Sequence, residues 1–159
     1  MKIMNKFQKK LANRKEDNKG FSLVELIIVI AIMAILVGIV GTQVIPYISK
    51  SKVAKDQQVL NSISTAAVAA YSENGATSNM TIDVFGTVPT NATEAKIQTD
   101  IKTASGYDDL AAFKAALGSD AGKNVTTVTV TFNSSTHKAI TSVTPVDAKY
   151  PIKDVEATL

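Results

Sequence analysis

Between Phe21 and Ser49 the chain carries one ionisable residue, Glu25, and from Leu26 to Ile45 it presents 20 nearly unbroken apolar positions. A helix needs about that many residues to cross a hydrocarbon layer ~30 Å thick. A cleaved secretory signal would have a shorter apolar stretch ending in small residues, whereas Gly41-Thr42-Gln43-Val44-Ile45-Pro46 runs on without an Ala-x-Ala pattern. The segment therefore reads as a retained membrane helix. Charge supplies its orientation. Residues 1–20 hold seven Lys/Arg against Glu16 and Asp17, while only Lys50, Lys52 and Lys55 follow the apolar run closely. The positive-inside bias keeps the leader in the cytoplasm and sends the C-terminal part outside. The overall formal charge of +3 thus belongs to the leader, and residues 21–159 are mildly acidic, so basicity is no argument for a nucleic-acid partner.

Glu25 is the anomaly in this segment, since a carboxylate carried to the bilayer centre costs ~3 kcal/mol on insertion scales and less near the interface. One reading is local: a negative charge in the first helical turn is favoured by the exposed amides and the helix dipole. The other depends on what precedes it. Lys19-Gly20-Phe21-Ser22-Leu23-Val24-Glu25, following a basic leader and opening an apolar run, resembles the processing site of type IV prepilins and their pseudopilin relatives. The resemblance covers about the first 50 residues. It implies that a membrane prepilin peptidase cuts between Gly20 and Phe21, that Phe21 is N-methylated, and that Glu25 pairs with the N-terminal amine of a neighbouring subunit during assembly. The chemistry is consistent. Cleavage would remove the basic leader and create an amine with a reference pKa near ~8, largely cationic and able to meet a carboxylate. In an apolar filament core such a pair is poorly screened and specifies axial register more than it adds stability.

Gly38 and Gly41 read as small residues that let helices approach closely. Pro46 lacks an amide donor and crowds the carbonyl four residues back, so it is expected to kink the helix or cap its membrane half. Beyond it, Val53, Leu60, Ile63, Ala67, Ala70 and Tyr71 fall on one stripe, with Lys52, Lys55, Asp56, Gln57 and Asn61 elsewhere, the pattern of an amphipathic helix ending near Asn74-Gly75. As one interrupted helix, Phe21 to Asn74 would be about 80 Å long. Its apolar half would then need either a bilayer or partner helices.

The remainder reads as a small head. Thr81 to Phe85 is a possible short strand within the loop of residues 76–91. Asn91 with Glu94 marks a helix start, followed by Ile97, Ile101 and Ala104 at helical spacing before Gly106. Asp108 can cap a second helix with Leu110, Phe113 and Leu117 on one face, closing at Gly118. Val125 to Phe132 alternates apolar and Thr residues, the signature of a half-buried strand; after a turn at Asn133 to Thr136, His137 to Thr144 is its antiparallel partner. Pro145 and Pro151 restrict the tail to edge or loop conformations. The expected class is α+β: a long N-terminal helix, membrane half plus amphipathic half, packed on a small antiparallel sheet. Its divisions are a leader (1–20, cleaved), a transmembrane and filament-core helix (21–49), an amphipathic second half (50–75) and a head (76–159).

No catalytic constellation, phosphate loop or dinucleotide fingerprint occurs, so no enzyme, cofactor or metal is expected. With no Cys there is no disulfide framework, and His137 is the sole His, with no partner for a metal site. Asp108, Asp109 and Asp120 lack the alternating acidic loop of an EF-hand and read as helix caps. The resemblance implies a structural subunit, stored in the cytoplasmic membrane and then polymerised into an extracellular pilus serving adhesion, aggregation or biofilm formation, or surface motility. Its implied partners are further copies of itself, the prepilin peptidase, an assembly ATPase and a platform membrane protein. Two alternatives share much of the sequence argument: a pseudopilin of a type II secretion or DNA-uptake system, and a non-polymerising single-pass membrane protein with a binding head.

Overall fold

A computed structural model describes residues 20–159, so the basic leader lies outside the described residues apart from Gly20. The chain divides into two compact units at Val44/Ile45. The first contains helix α1, Leu23–Ile39, followed by a π-helical turn, Val40–Val44. The second contains α2 (Ile45–Glu73), β1 (Met80–Asp83), α3 (Ala92–Ser105), α4 (Leu110–Ala116), α5 (Asp120–Lys123), β2 (Thr127–Asn133), β3 (Lys138–Thr144) and β4 (Val155–Thr158). Helical residues run without a gap for 51 residues, Leu23–Glu73.

In the second unit the four strands form one antiparallel sheet in the order β1-β2-β3-β4. Alternation decides its faces. Val128, Val130 and Phe132 of β2 and Ala139, Thr141 and Val143 of β3 point to the buried side, while Thr131 and Thr144 lie exposed on the other. Against the buried side pack Leu60, Ile63, Ala67, Ala70 and Tyr71 of α2, the stripe expected from helical spacing. Tyr71 stacks on Phe132 with ring centroids 4.7 Å apart, tying the last turns of α2 to the central strand. The helix then stops in a Schellman arrangement. Ala76 N donates to Tyr71 O and Gly75 N to Ser72 O, with Gly75 at φ +60°, a conformation that glycine adopts at no steric cost.

Several local details differ from the sequence expectation, each for an identifiable reason. Asp56, placed on the polar side of α2, is 1% exposed. Its Oδ1 accepts from Gly118 N (2.8 Å), and its Oδ2 accepts from Ser119 N (3.0 Å) and from the Ser119 hydroxyl. The Ser119 Oγ in turn accepts from Gly122 N at 2.9 Å, which caps α5. The carboxylate thus satisfies the polar groups where the chain between α4 and α5 crosses α2. Glycine at 122 permits the approach, since a Cβ there would lie 2.6 Å from the Asp56 Oδ2 and 2.6 Å from the Leu117 Cβ.

Gln57, also read as polar-face, forms a two-way amide bridge to Lys153: its Nε2 donates to Lys153 O (2.8 Å) and its Oε1 accepts from Lys153 N (2.9 Å). The N-cap of α4 is Asp109 rather than Asp108; its Oδ1 accepts from Ala112 N at 2.7 Å. On α3, Ala104 is exposed, and the buried set is Ile97, Gln98 and Ile101. Gln98 earns its burial by donating to Asp83 O at 2.7 Å, which fixes the turn after β1. β4 was not separately expected. It is an edge strand pairing with β3 past Pro151, the kind of position that prolines leave open.

Candidate processing and assembly site

The N-terminal unit begins in an extended stretch. Gly20 and Phe21 precede the helix and are exposed, Phe21 at 86%. Ser22 is the N-cap of α1, with φ −64° and ψ 141°, and its Oγ accepts from Val24 N at 3.3 Å. Glu25 answers from the third helical position: its Oε2 accepts from Ser22 N at 2.8 Å, completing a capping box. The pattern Ser22-x-x-Glu25 is the signal that would have identified Ser22, which sequence reasoning passed over. The local reading of Glu25 is therefore realised in the single chain. The same geometry leaves capacity for another partner: among the described residues Oε1 has no hydrogen-bond donor, and a carboxylate can accept at both oxygens.

Everything after this cap is apolar surface. No residue of α1 is buried, and Leu23, Ile30, Met33, Ile35 and Val37 are each more than half exposed. Water would oppose such a cylinder at roughly 25 cal/mol for every Å² of apolar area left uncovered, so α1 needs a lipid or protein environment. Gly38 and Gly41 have open space where a Cβ would stand, so nothing within the described chain requires glycine there.

Pro46 neither ends the helix nor stands inside a regular α-helical ladder. The widened turn Val40–Val44 precedes it, and Pro46 is the second residue of α2, directly after the irregular turn. Thr42 Oγ1 donates to Gly38 O at 3.1 Å and to Ile39 O at 3.3 Å, occupying carbonyls beside the irregular turn.

The described residues contain no group of three or more His, Cys, Asp or Glu side chains arranged to hold a metal ion. His137 sits exposed at φ 53° in the β2–β3 turn. Gly20, Phe21 and Glu25 are therefore brought together only as neighbours along one exposed helix start, not as a pocket.

This geometry defines a class: a chain with an exposed Gly20-Phe21 step, a capped apolar helix long enough to cross a membrane, and an α+β head. Residues 17–41 match the prokaryotic N-terminal methylation motif, which is typical of type IV pilin and pseudopilin precursors. The motif implies processing by a prepilin peptidase and association with a membrane, and its family is structural. Comparisons with curated proteins and with solved structures returned no match.

Proposed function

We propose that the chain is a type IV pilin-like subunit that is cut between Gly20 and Phe21, methylated on Phe21, held in the cytoplasmic membrane by residues 21–49, and polymerised into an extracellular filament. The observation that carries this is the methylation motif placed on a helix whose entire apolar surface is exposed. The precursor can cover that surface with lipid. In a filament, the same surface is covered by helices of other copies, and the unused Glu25 Oε1 can accept from the amine of a neighbouring Phe21. Pro46 and the widened turn before it are the place where the helix can bend on moving from one environment to the other. Assembly would draw on an ATPase and a platform membrane protein. The filament would act through attachment, aggregation or surface movement, and the head has no catalytic role.

Processing is the first step to test. Co-expressed with a prepilin peptidase, the chain should lose its leader and begin at Phe21, while a Gly20→Val chain should keep it. N-terminal sequencing reads both. Cleavage at another bond, or equal cleavage of the variant, would contradict the assignment.

A further inference from the structure

The second unit holds a cleft of about 300 Å³ between the first turns of α2, the start of α5 and the loop before β4. Ser49 and Lys52 line it from α2, Asp120 from α5, and Asp147, Lys149 and Tyr150 from the loop. Its charges are two cations and two carboxylates. Among the described residues the one ion pair within 4.0 Å is Lys138–Glu156, so none of the four makes a salt bridge with another described residue. The loop is nevertheless ordered by its own bonds. Asp147 Oδ1 accepts from Lys149 N (2.8 Å) and Tyr150 N (2.6 Å), and the Lys149 Nζ lies 5.4 Å from the centre of the Tyr150 ring. The amides of Tyr150 and Lys149 hold the Asp147 carboxyl below its ordinary range, so it lines the cleft as a carboxylate.

Position along the helix says what such a cleft would meet. The membrane segment read as residues 21–49 ends at Ser49, and Lys52 and Val53 follow it within four residues, or at most ~6 Å of helical rise. The polar layer of a bilayer leaflet is about 5–8 Å thick beyond the hydrocarbon. Tyr47, 78% exposed, sits just before it, an aromatic at the depth where membrane interfaces favour one.

We propose that this cleft takes the headgroup of a phospholipid bearing both a phosphate and a primary ammonium, seating the stored subunit at the membrane surface on the side of the head. Lys52 and Lys149 supply donors for the phosphate, and Asp120 and Asp147 accept from the ammonium. A quaternary ammonium has no N–H to donate and is the poorer guest. Extraction into a filament requires the headgroup to be released. The proposal rests on the membrane-anchored reading of residues 21–49 and adds a ligand to it.

The test uses the isotope-labelled full chain in phosphatidylcholine nanodiscs, with phosphatidylethanolamine introduced in increasing proportion. The amides of Ser119, Asp120, Lys149 and Tyr150 should shift saturably. A Lys52→Gln/Lys149→Gln chain should need about tenfold more of the lipid, while its β2 and β3 amides stay unmoved. Shifts that do not saturate, or that match in wild type and variant, would overturn the proposal. So would shifts that follow the number of copies per disc, which would assign the cleft to a second copy. A water-soluble paramagnetic probe in the same samples reads the anchor separately. Protected α1 amides with a silent cleft sink the headgroup alone, whereas exposed α1 amides sink the anchor and the headgroup with it.

Discussion

A Glu25→Gln chain is expected to be cut, to insert in the membrane as wild type does, and to be missing from surface fibres. The choice of glutamine matters because it separates the capping box of the structure from the proposed assembly contact. Gln at the third helical position can still accept from Ser22 N, so the capping box and the start of α1 survive. What disappears is the charge that the proposed assembly contact would offer to the amine of a neighbouring Phe21. In the low-dielectric interior of a helical bundle, an amine left without its carboxylate is an uncompensated buried charge, costing about 3–5 kcal/mol per subunit contact. That is a drop of two orders of magnitude or more in the affinity of each addition step. Immunoblots of sheared fibres against membrane fractions read the result. If Glu25→Gln fibres form in normal amounts, the carboxylate is only a helix cap and the assembly role is wrong.

The second large effect lies in the head. Replacing Asp56 with Ala should destabilise the second unit by about 3–5 kcal/mol, because Gly118 N, Ser119 N and the Ser119 hydroxyl all lose a buried acceptor at once. Against a typical total of 5–15 kcal/mol this removes much of the margin, and melting should fall by about 10–20 °C. Lys55→Ala, one residue away and exposed, should change stability by no more than ~0.5 kcal/mol. Thermal melts of the full chain in detergent, followed by near-ultraviolet circular dichroism, compare the two. Equal melting temperatures would mean that the carboxylate does not hold the α4–α5 chain to α2.

Asp56 also shows where sequence reasoning stops. Periodicity placed Leu60, Ile63, Ala67, Ala70 and Tyr71 on the buried stripe correctly, because apolar burial follows helix geometry alone. Whether a carboxylate on the flank of that stripe faces water or backbone amides depends on a loop some 60 residues away, and no local pattern encodes it. Gln57 and Gln98 were hidden for the same reason. Each is a polar side chain whose partner is a distant main-chain segment. β4 lay in a short stretch after Pro151 with weak alternation, and it becomes a strand only because β3 offers an unpaired edge. The N-terminal region was legible because its constraints are local: the methylation motif and the apolar helix lie close together in sequence. Pro46 pointed to a kink or a cap, and the widened turn at Val40–Val44 ahead of it needed the backbone geometry.

The central claim is that this chain becomes a processed polymer subunit. Fibres sheared from producing cells, analysed by intact mass and N-terminal sequencing, test it most directly. The account predicts a chain that begins at a methylated Phe21 and makes up the fibre. A chain that keeps residues 1–20, remains wholly in the membrane fraction and enters no fibre would contradict it.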